Sequence, residues 1–263
     1  MIKFSILTPS YNSGRTIERT LKSVLDLTYA NVEYIVVDGA SKDNTCDVIK
    51  RYEPMFKGRM RWISEPDSGI YDAMNKGVRM ATGDIIGIVN SDDWLEPDAL
   101  DKVMEVVVAN DNDENTIYCG GINFHRIDGS IKRWDANVRV FKAQAPLYVM
   151  SGIRHPATFV PRQVYEKIGL FNSQMKLSAD QDFILRCYYG AVVFIEVPEI
   201  LSNMSEGGVS TGGSDRARVQ SRMDRKIMLK GFGKKGMSYV WLYYSWYIRG
   251  VLRRCLKKIG LYR

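Results

Sequence analysis

Asp92 and Asp93 stand at the end of the stretch Ile85-Ile86-Gly87-Ile88-Val89-Asn90-Ser91-Asp92-Asp93. The apolar part is short and β-branched, bounded by Gly and polar residues, so it reads as a buried strand. In an open α/β sheet, ligands bind outside the carboxyl ends of the strands. Carboxylates placed there suit a hard divalent cation that also holds phosphate oxygens. Asp92 can take such an ion and Asp93 can add charge or a second contact. The plain alternative is that the pair turns the chain and caps the helix behind it. Further carboxylates fall at strand ends and in loops. Asp38 follows Tyr34-Ile35-Val36-Val37 and can accept from the N–H groups of a base, or simply cap the next helix. Asp180 and Asp182 flank Gln181 at a helix start, where the helix dipole alone favours acids. A catalytic role needs one of them to face a cleft and take a proton from a substrate hydroxyl.

Other chemistries lack their residues. There is no G-x-x-x-x-G-K-[ST] and no G-x-G-x-x-G, so P-loop and dinucleotide readings are weak. With only His125 and His155, a zinc–histidine cluster is not expected. No G-x-S-x-G elbow occurs. The four cysteines, Cys46, Cys119, Cys187 and Cys255, are far apart and read as reduced thiols of a cytosolic protein.

The elements that must position these groups alternate. Lys3–Thr8 reads as a strand that should stop near Pro9. A helix carries Ile17, Leu21, Val24 and Leu25, and a second strand runs from Val32 to Asp38. Caps at 41–45 open a helix with Val48, Ile49 and Tyr52, and Met60 to Ser64 is a weak third strand. Asp67-Ser68-Gly69 turns into a helix with Ala73, Met74 and Val78. The Asp-Asp strand follows, then a helix with Pro97 as its first residue and Leu100, Val103, Met104 and Val107 inward. This alternation predicts βαβ units and a parallel sheet, with Thr8-Pro9, Asp38, Glu65 and Asp92 converging on one edge. The second half is less regular. Thr116–Phe124 and Ser130–Trp134 should pair around Asp128-Gly129, and Arg154–Val160 should be a strand. Helices are expected at 162–168 and 178–189, a strand at 191–197, and a loop at Gly207–Gly213.

Charge divides the chain of 263 residues. The last part, residues 216–263, holds 14 basic residues against one acid, Asp224, a net of +13 within a total of +7. Val240-Trp241-Leu242-Tyr243-Tyr244-Ser245-Trp246-Tyr247-Ile248 leads into Arg249, Arg253, Arg254, Lys257 and Lys258. Aromatic rings and cations on one amphipathic helix suit an anionic membrane surface. The competing reading packs the aromatics on the body or in a homodimer contact. No recognisable nucleic-acid module accompanies the charge. No run of about 18 apolar residues occurs, so no spanning helix is expected. Met1-Ile2-Lys3 runs straight into a strand, so no signal peptide is expected either.

Taken in order, Ser5-Ile6-Leu7-Thr8-Pro9-Ser10-Tyr11-Asn12, Val37-Asp38-Gly39-Ala40-Ser41-Lys42-Asp43-Asn44-Thr45, Asp67-Ser68-Gly69-Ile70-Tyr71-Asp72-Ala73-Met74-Asn75-Lys76-Gly77 and Asn90-Ser91-Asp92-Asp93 resemble the ordered motifs of family 2 glycosyltransferases. The likeness is dense over residues 3–110 and resumes at His155-Pro156-Ala157-Thr158-Phe159, Tyr165–Phe171 and Ala179-Asp180-Gln181-Asp182. It implies a GT-A (Rossmann-like) α/β domain over 1–215, with a nucleotide-sugar half at 1–110 and an acceptor half at 111–215. The basic helical tail, 216–263, follows. It also implies inverting transfer from a nucleotide-sugar. Thr8, Pro9 and Tyr11 then line the nucleotide pocket and Asp38 contacts the base. Asp72 and Lys76 face the nucleotide, Asp92 ligates the metal, Asp180 is the catalytic base, and His155 lies near the phosphates or acceptor.

Two departures from the family pattern stand out. Asn90 replaces the first aspartate of the aspartate-x-aspartate signature; it can hold ribose or a metal-bound water but adds no charge. Ala179 replaces the glutamate of the usual Glu-Asp pair, leaving Asp180 as base with Asp182 as substitute or support. Absence of a Q-x-x-R-W motif points to single-sugar addition. The expected reaction moves a UDP-hexose or UDP-N-acetylhexosamine sugar to a glycan or lipid-linked acceptor in surface polysaccharide synthesis, at the inner face of the cytoplasmic membrane. The rival readings are a sugar-phosphate nucleotidyltransferase and a non-catalytic nucleotide-sugar binder.

Overall fold

The computed structural model describes residues 2–207 and 215–258. Most of the loop expected at Gly207–Gly213 and the last five residues lie outside the described residues, as do the side chains of Trp246, Arg253, Arg254, Lys257 and Lys258. Strands β1 (Phe4–Ser10), β2 (Val32–Asp38), β3 (Met60–Ser64) and β4 (Ile85–Ile88) form the parallel part of one sheet, ordered β3-β2-β1-β4. Helices α1 (Ile17–Leu25), α2 (Thr45–Tyr52) and α3 (Ile70–Met80) make the crossovers. The sheet continues through β8 (Thr158–Pro161), β6 (Thr116–His125), β9 (Val193–Ser205) and β5 (Trp94–Leu95). In that half, β6 and β9 run parallel, while β4–β8, β8–β6 and β9–β5 are antiparallel. The parallel expectation holds throughout the first half, and the β6–β9 pair carries it into the second, where the remaining pairings are antiparallel. β7 (Ile131–Trp134) pairs with β6 as an antiparallel arm.

Alternation along the strands divides the core into two layers. Phe4, Ile6, Tyr34 and Val36 pack with α1, α2 and α4 (Ala99–Ala109). Leu7, Ile35 and Val37 pack with α3, α5 (Val138–Gln144), α6 (Arg162–Ile168) and α7 (Ala179–Tyr189). Neighbouring residues of one strand face opposite sides, so both faces are covered, as parallel strands require. The second layer also takes Met228 and Leu229 of α8 (Asp215–Gly231) and Leu242 of α9 (Gly236–Lys258). The basic tail is thus built into the same core.

Several local expectations change. β1 runs through Pro9 to Ser10. Pro97 does not open α4: Asp98 is its N-cap, and the Pro97 carbonyl accepts from the Thr28 N–H at 3.0 Å. His155–Ala157 is a 3-10 turn, not a strand. β9 reaches 13 residues because the register with β6 slips between Cys119 and Gly121, opposite the Pro198 stretch. A bulge there tolerates the missing N–H of proline. Among the described residues all four cysteines are free, and no helix is long and apolar enough to cross a membrane.

Candidate active site

The strand order reverses at β1: β2 lies to one side, β4 to the other. The loops leaving β1 and β4 part there, and the crevice between them is the usual ligand position of such sheets. The Ser13 and Ser91 hydroxyls bridge it at 2.7 Å. α1 clamps the second loop. Arg19 Nη2 donates to the Asp92 carbonyl and to Ser205 Oγ, both at 2.7 Å, with its guanidinium 3.7 Å over the Trp94 ring. Thr20 Oγ1 donates to the Asp93 carbonyl at 2.6 Å.

Asp92 and Asp93 take different roles. Asp93 is 1% exposed; its carboxylate accepts from the Ser205 N–H at 3.0 Å and from Asn90 Nδ2 at 3.2 Å. Burial, then the neighbouring Asp92, push it up to about 7. It holds β9 to the loop. Asp92 keeps a half-buried carboxylate whose affinity for protons is raised by burial. Beside it, Asn90 Oδ1 is buried without a hydrogen-bond partner.

Asp38 lies at the end of β2, fully buried. Its carboxylate accepts from Ser10 Oγ (3.1 Å), the Ser41 N–H (2.9 Å), Ser41 Oγ, Ser64 Oγ (2.7 Å) and Cys46 Sγ (3.4 Å). Burial opposes its charge, but these donors together keep it below the usual carboxylate range. Asp38 is the hub that ties the ends of β1, β2 and β3, so any contact with a base must displace one of these donors. Above it Gly39 is a close-approach point: a Cβ there would sit 2.5 Å from Asp67 Oδ2 and 3.3 Å from the Tyr11 ring. Asp67, raised by burial, and the exposed Tyr11 therefore flank Gly39. Pro9 pairs with Val37 at the end of β1. Thr8 is in the core layer instead, its Oγ1 accepting from Tyr34 Oη at 2.9 Å.

The far wall is made where the N-termini of α3 and α7 meet. Tyr71 Oη, in the first turn of α3, donates to Asp180 Oδ1, in the first turn of α7, at 3.0 Å. Burial and the Asp180 charge push the Tyr71 phenol well above its usual value, so it stays a donor. His155 packs edge-on against Phe171; burial lowers its proton affinity and the Asp180 charge partly restores it. Asn75 of α3 holds the loop between α6 and α7, its amide exchanging two 2.9 Å bonds with the Phe171 backbone. Gly69 opens α3 at φ 132°, a conformation that favours glycine.

Three further expected residues already hold protein partners. Asp72 accepts from the Ser68 N–H (3.0 Å) and hydroxyl (3.2 Å), capping its own helix. Lys76 Nζ reaches the Pro66 carbonyl (2.9 Å) and Glu65 (2.8 Å), bracing the loop after β3. Asp182, two positions beyond Asp180, turns the other way, is buried, and pairs with Arg186 at 2.8 Å. Tyr71, Asp67 and Arg19 belong to the site without having been singled out from the sequence. Tyr71 and Asp67 lay inside a recognised stretch, but only the fold shows which of its side chains face inward.

Among the described residues no three His, Cys, Asp or Glu side chains form an ion cage. Asp92 and the unpartnered Asn90 Oδ1 nevertheless offer two oxygens on one loop. That fits a hard cation completing its shell with phosphate oxygens and water.

The chain is similar to known proteins in sequence and in fold. The family model described as Glycosyl transferase family 2 matches residues 5–169. The chain is 29% identical over 210 residues to a PGL/p-HBAD biosynthesis glycosyltransferase of Mycobacterium bovis (strain BCG / Pasteur 1173P2), covering 79% of this chain and 78% of that one. In fold it is similar to S. aureus TarS 1–349 in complex with UDP-GlcNAc, with TM-score 0.66, 16% identity, and 97% of this chain and 73% of that one covered. It spans 41% of the longer TarS chain. It is also similar to the mannosyltransferase PcManGT of Pyrobaculum calidifontis in complex with GDP-Man and Mn2+, with TM-score 0.64, 18% identity, and 90% and 66% covered. With the family model spanning more than half of the chain, this protein belongs to glycosyl transferase family 2.

Proposed function

We propose that the chain transfers a single sugar, with inversion, from a UDP-hexose or UDP-N-acetylhexosamine to a hydroxyl of a glycan or lipid-linked acceptor in surface polysaccharide synthesis. The observation that carries this reading is Asp180: a carboxylate in the first turn of α7, held at 3.0 Å by Tyr71 beside an imidazole whose protonation burial disfavours. The acceptor oxygen bonds to the anomeric carbon as the bond to the diphosphate breaks. The proton passes to Asp180, and the electron pair leaves with the diphosphate. Tyr71 fixes the rotamer of Asp180, and His155 supplies a neutral face toward the phosphates or acceptor. Residues 1–110 hold the donor, with Tyr11, Asp67 and the Asp38 cluster at the base and Ser91 at the crevice; residues 111–215 hold the acceptor. Asp92 with Asn90 would hold Mn2+ or Mg2+, which stabilises negative charge on the leaving diphosphate when bound. The sugar nucleotides held by TarS and PcManGT support such a donor.

The tail reading is peripheral attachment to an anionic membrane from the cytoplasmic side. Met237, Trp241, Tyr244, Ile248 and Leu252 are exposed along one stripe of α9, and Arg222 and Lys226 of α8 lie over the rings of Tyr247 and Tyr243 at 4.8 and 5.6 Å.

The test is a panel of UDP-glucose, UDP-N-acetylglucosamine and GDP-mannose with Mn2+, read first by thermal shift and then by release of nucleotide diphosphate. Asp180→Asn should keep the thermal shift and lose turnover by about 10²–10⁴-fold. Undiminished turnover in that variant removes Asp180 as base, and pyrophosphate as product removes the transferase reading.

A further inference from the structure

We infer that Asp224, the one acid of the basic C-terminal stretch, is a positioning residue for Asp180; the inference rests on Asp180 being the base. Asp224 is 0% exposed and reaches from α8 to the turn that opens α7. One carboxylate oxygen accepts from three successive backbone N–H groups: Lys176 at 3.1 Å, Leu177 at 2.7 Å and Ser178 at 3.0 Å. The other accepts from Gln220 Nε2, one helical turn earlier on α8, at 2.9 Å, and from the Lys176 N–H at 3.2 Å. Successive N–H groups of this kind form a concave anion nest, and here the anion is supplied by the protein itself.

The arrangement replaces a missing local device. Ser178 is the N-cap of α7, yet its side chain makes no capping bond. A helix start normally draws its cap from its own chain; this one draws its anchor from a residue 46 positions later. The same turn is held on its other side, because Lys176 Nζ donates to the Ser68 carbonyl just ahead of α3. Asp180 stands two positions after Ser178, so the rotation and height of its carboxylate follow from where this turn is fixed. A shift of about 1 Å in a reacting group can cost on the order of 10² in rate, and the Tyr71–Asp180 bond leaves little slack. The C-terminal helices therefore do two things: their outer face is free to meet a surface, and the inner face of α8 sets the base.

Asp224→Asn is the sharpest variant. It keeps the volume but offers one acceptor oxygen, and it turns an N–H2 toward N–H donors. The full chain is assayed for hydrolysis of whichever of UDP-glucose, UDP-N-acetylglucosamine or GDP-mannose gives the largest thermal shift with Mn2+. Rates are normalised to nucleotide-binding sites. The expected result is kcat at least tenfold lower, with KM for the sugar nucleotide and Kd for the nucleotide within about twofold of the parent, since a 1 Å drift at the base costs on the order of 10² and the donor crevice is built elsewhere. Gln220→Ala, which only loosens the carboxylate, should lower kcat by about two- to fivefold, in keeping with loss of one hydrogen bond, and it decides the matter if Asp224→Asn does not fold. Unchanged kcat in both soluble variants overturns the inference. So does a loss of kcat matched by an equal loss of nucleotide affinity, which marks general disruption. Asp180→Asn is run in parallel: if it stays active the base assignment itself has failed, whereas an inactive Asp180→Asn beside a fully active Asp224→Asn refutes the positioning role alone.

Discussion

The Tyr71 hydroxyl donates to Asp180 Oδ1 at 3.0 Å across 109 positions of sequence, joining the first turn of α3 to the first turn of α7. Hydrogen bonds to a charged group contribute about 1.5–3 kcal/mol. Tyr71→Phe keeps the ring contact with Phe171, at 5.9 Å between centroids, and removes only this bond. Turnover should fall about tenfold or more, with nucleotide affinity unchanged. Steady-state kinetics on the purified variant checks it; an equal loss in kcat and in nucleotide binding would mean Tyr71 merely supports the fold.

At the opposite end of the sheet, Glu33 gives a pH prediction. It accepts from Ser5 Oγ, the Thr82 and Gly83 N–H groups, Thr82 Oγ1, Lys3 and Arg61. Burial opposes its charge, but those bonds hold it down at about 2 from an ordinary 4.5. A depressed carboxylate stabilises the fold above its unfolded value and ceases to do so as pH falls through its folded one. The window is therefore roughly pH 4.5 to 2, and the contribution about 3 kcal/mol. Glu33→Gln should be less stable than the parent at pH 7, with the difference shrinking toward pH 2–3. Urea midpoints at pH 7 and pH 3 measure it, and a gap that stays constant between them rules out the linkage.

The parallel half of the fold was readable because each strand ended in Gly, Pro or a carboxylate and each helix carried an apolar stripe. β5, two residues long, and α5 gave no such periodicity. The strand expected at 191–197 stops before Pro198 and Glu199, which alternation cannot accommodate but a bulge can, so β9 runs on to Ser205. The same limit applies to the site. Residue type showed which carboxylates were available, not which were already satisfied. Asp93, Asp72 and Asp182 look like Asp92 and Asp180 in sequence. What separates them is the Ser205 N–H, the Ser68 N–H and Arg186, all set by tertiary packing. Asp224 read as the odd acid in a basic tail, because its three N–H partners lie 46–48 positions earlier.

Asp92 and Asn90 should respond differently to substitution if together they offer oxygens to a cation. Asp92→Asn removes the charge that burial already makes costly. It should abolish the extra thermal shift that Mn2+ adds to nucleotide, while raising or leaving unchanged the melting point of the free protein. Asn90→Asp adds a carboxylate where Oδ1 now has no partner, and should strengthen the Mn2+ response at a cost in stability without metal. Thermal shift with nucleotide, with and without Mn2+, reads both. An Asp92→Asn protein that keeps the full Mn2+ increment places the ion elsewhere.

Membrane attachment is best tested without shortening the chain. Leu242 is buried in the common core, and its carbonyl accepts from Arg225, so deleting α9 would expose apolar surface on the body. The outer stripe can be changed alone. Trp241 is 57% exposed, Tyr244 53% and Ile248 54%, and their spacing puts them on one face of the helix. An exposed stripe of this kind beside cations binds an interface by apolar insertion plus attraction to anionic headgroups. The parent should float with vesicles containing phosphatidylserine, less with neutral phosphatidylcholine vesicles, and less again in high salt, which screens surface charge. Trp241→Ser, Tyr244→Ser and Ile248→Ser combined should abolish flotation with little change in melting point. If the parent stays at the bottom of the gradient with anionic vesicles, the stripe faces a protein surface instead, and a concentration-dependent mass in sedimentation would identify that surface as a second copy of the chain.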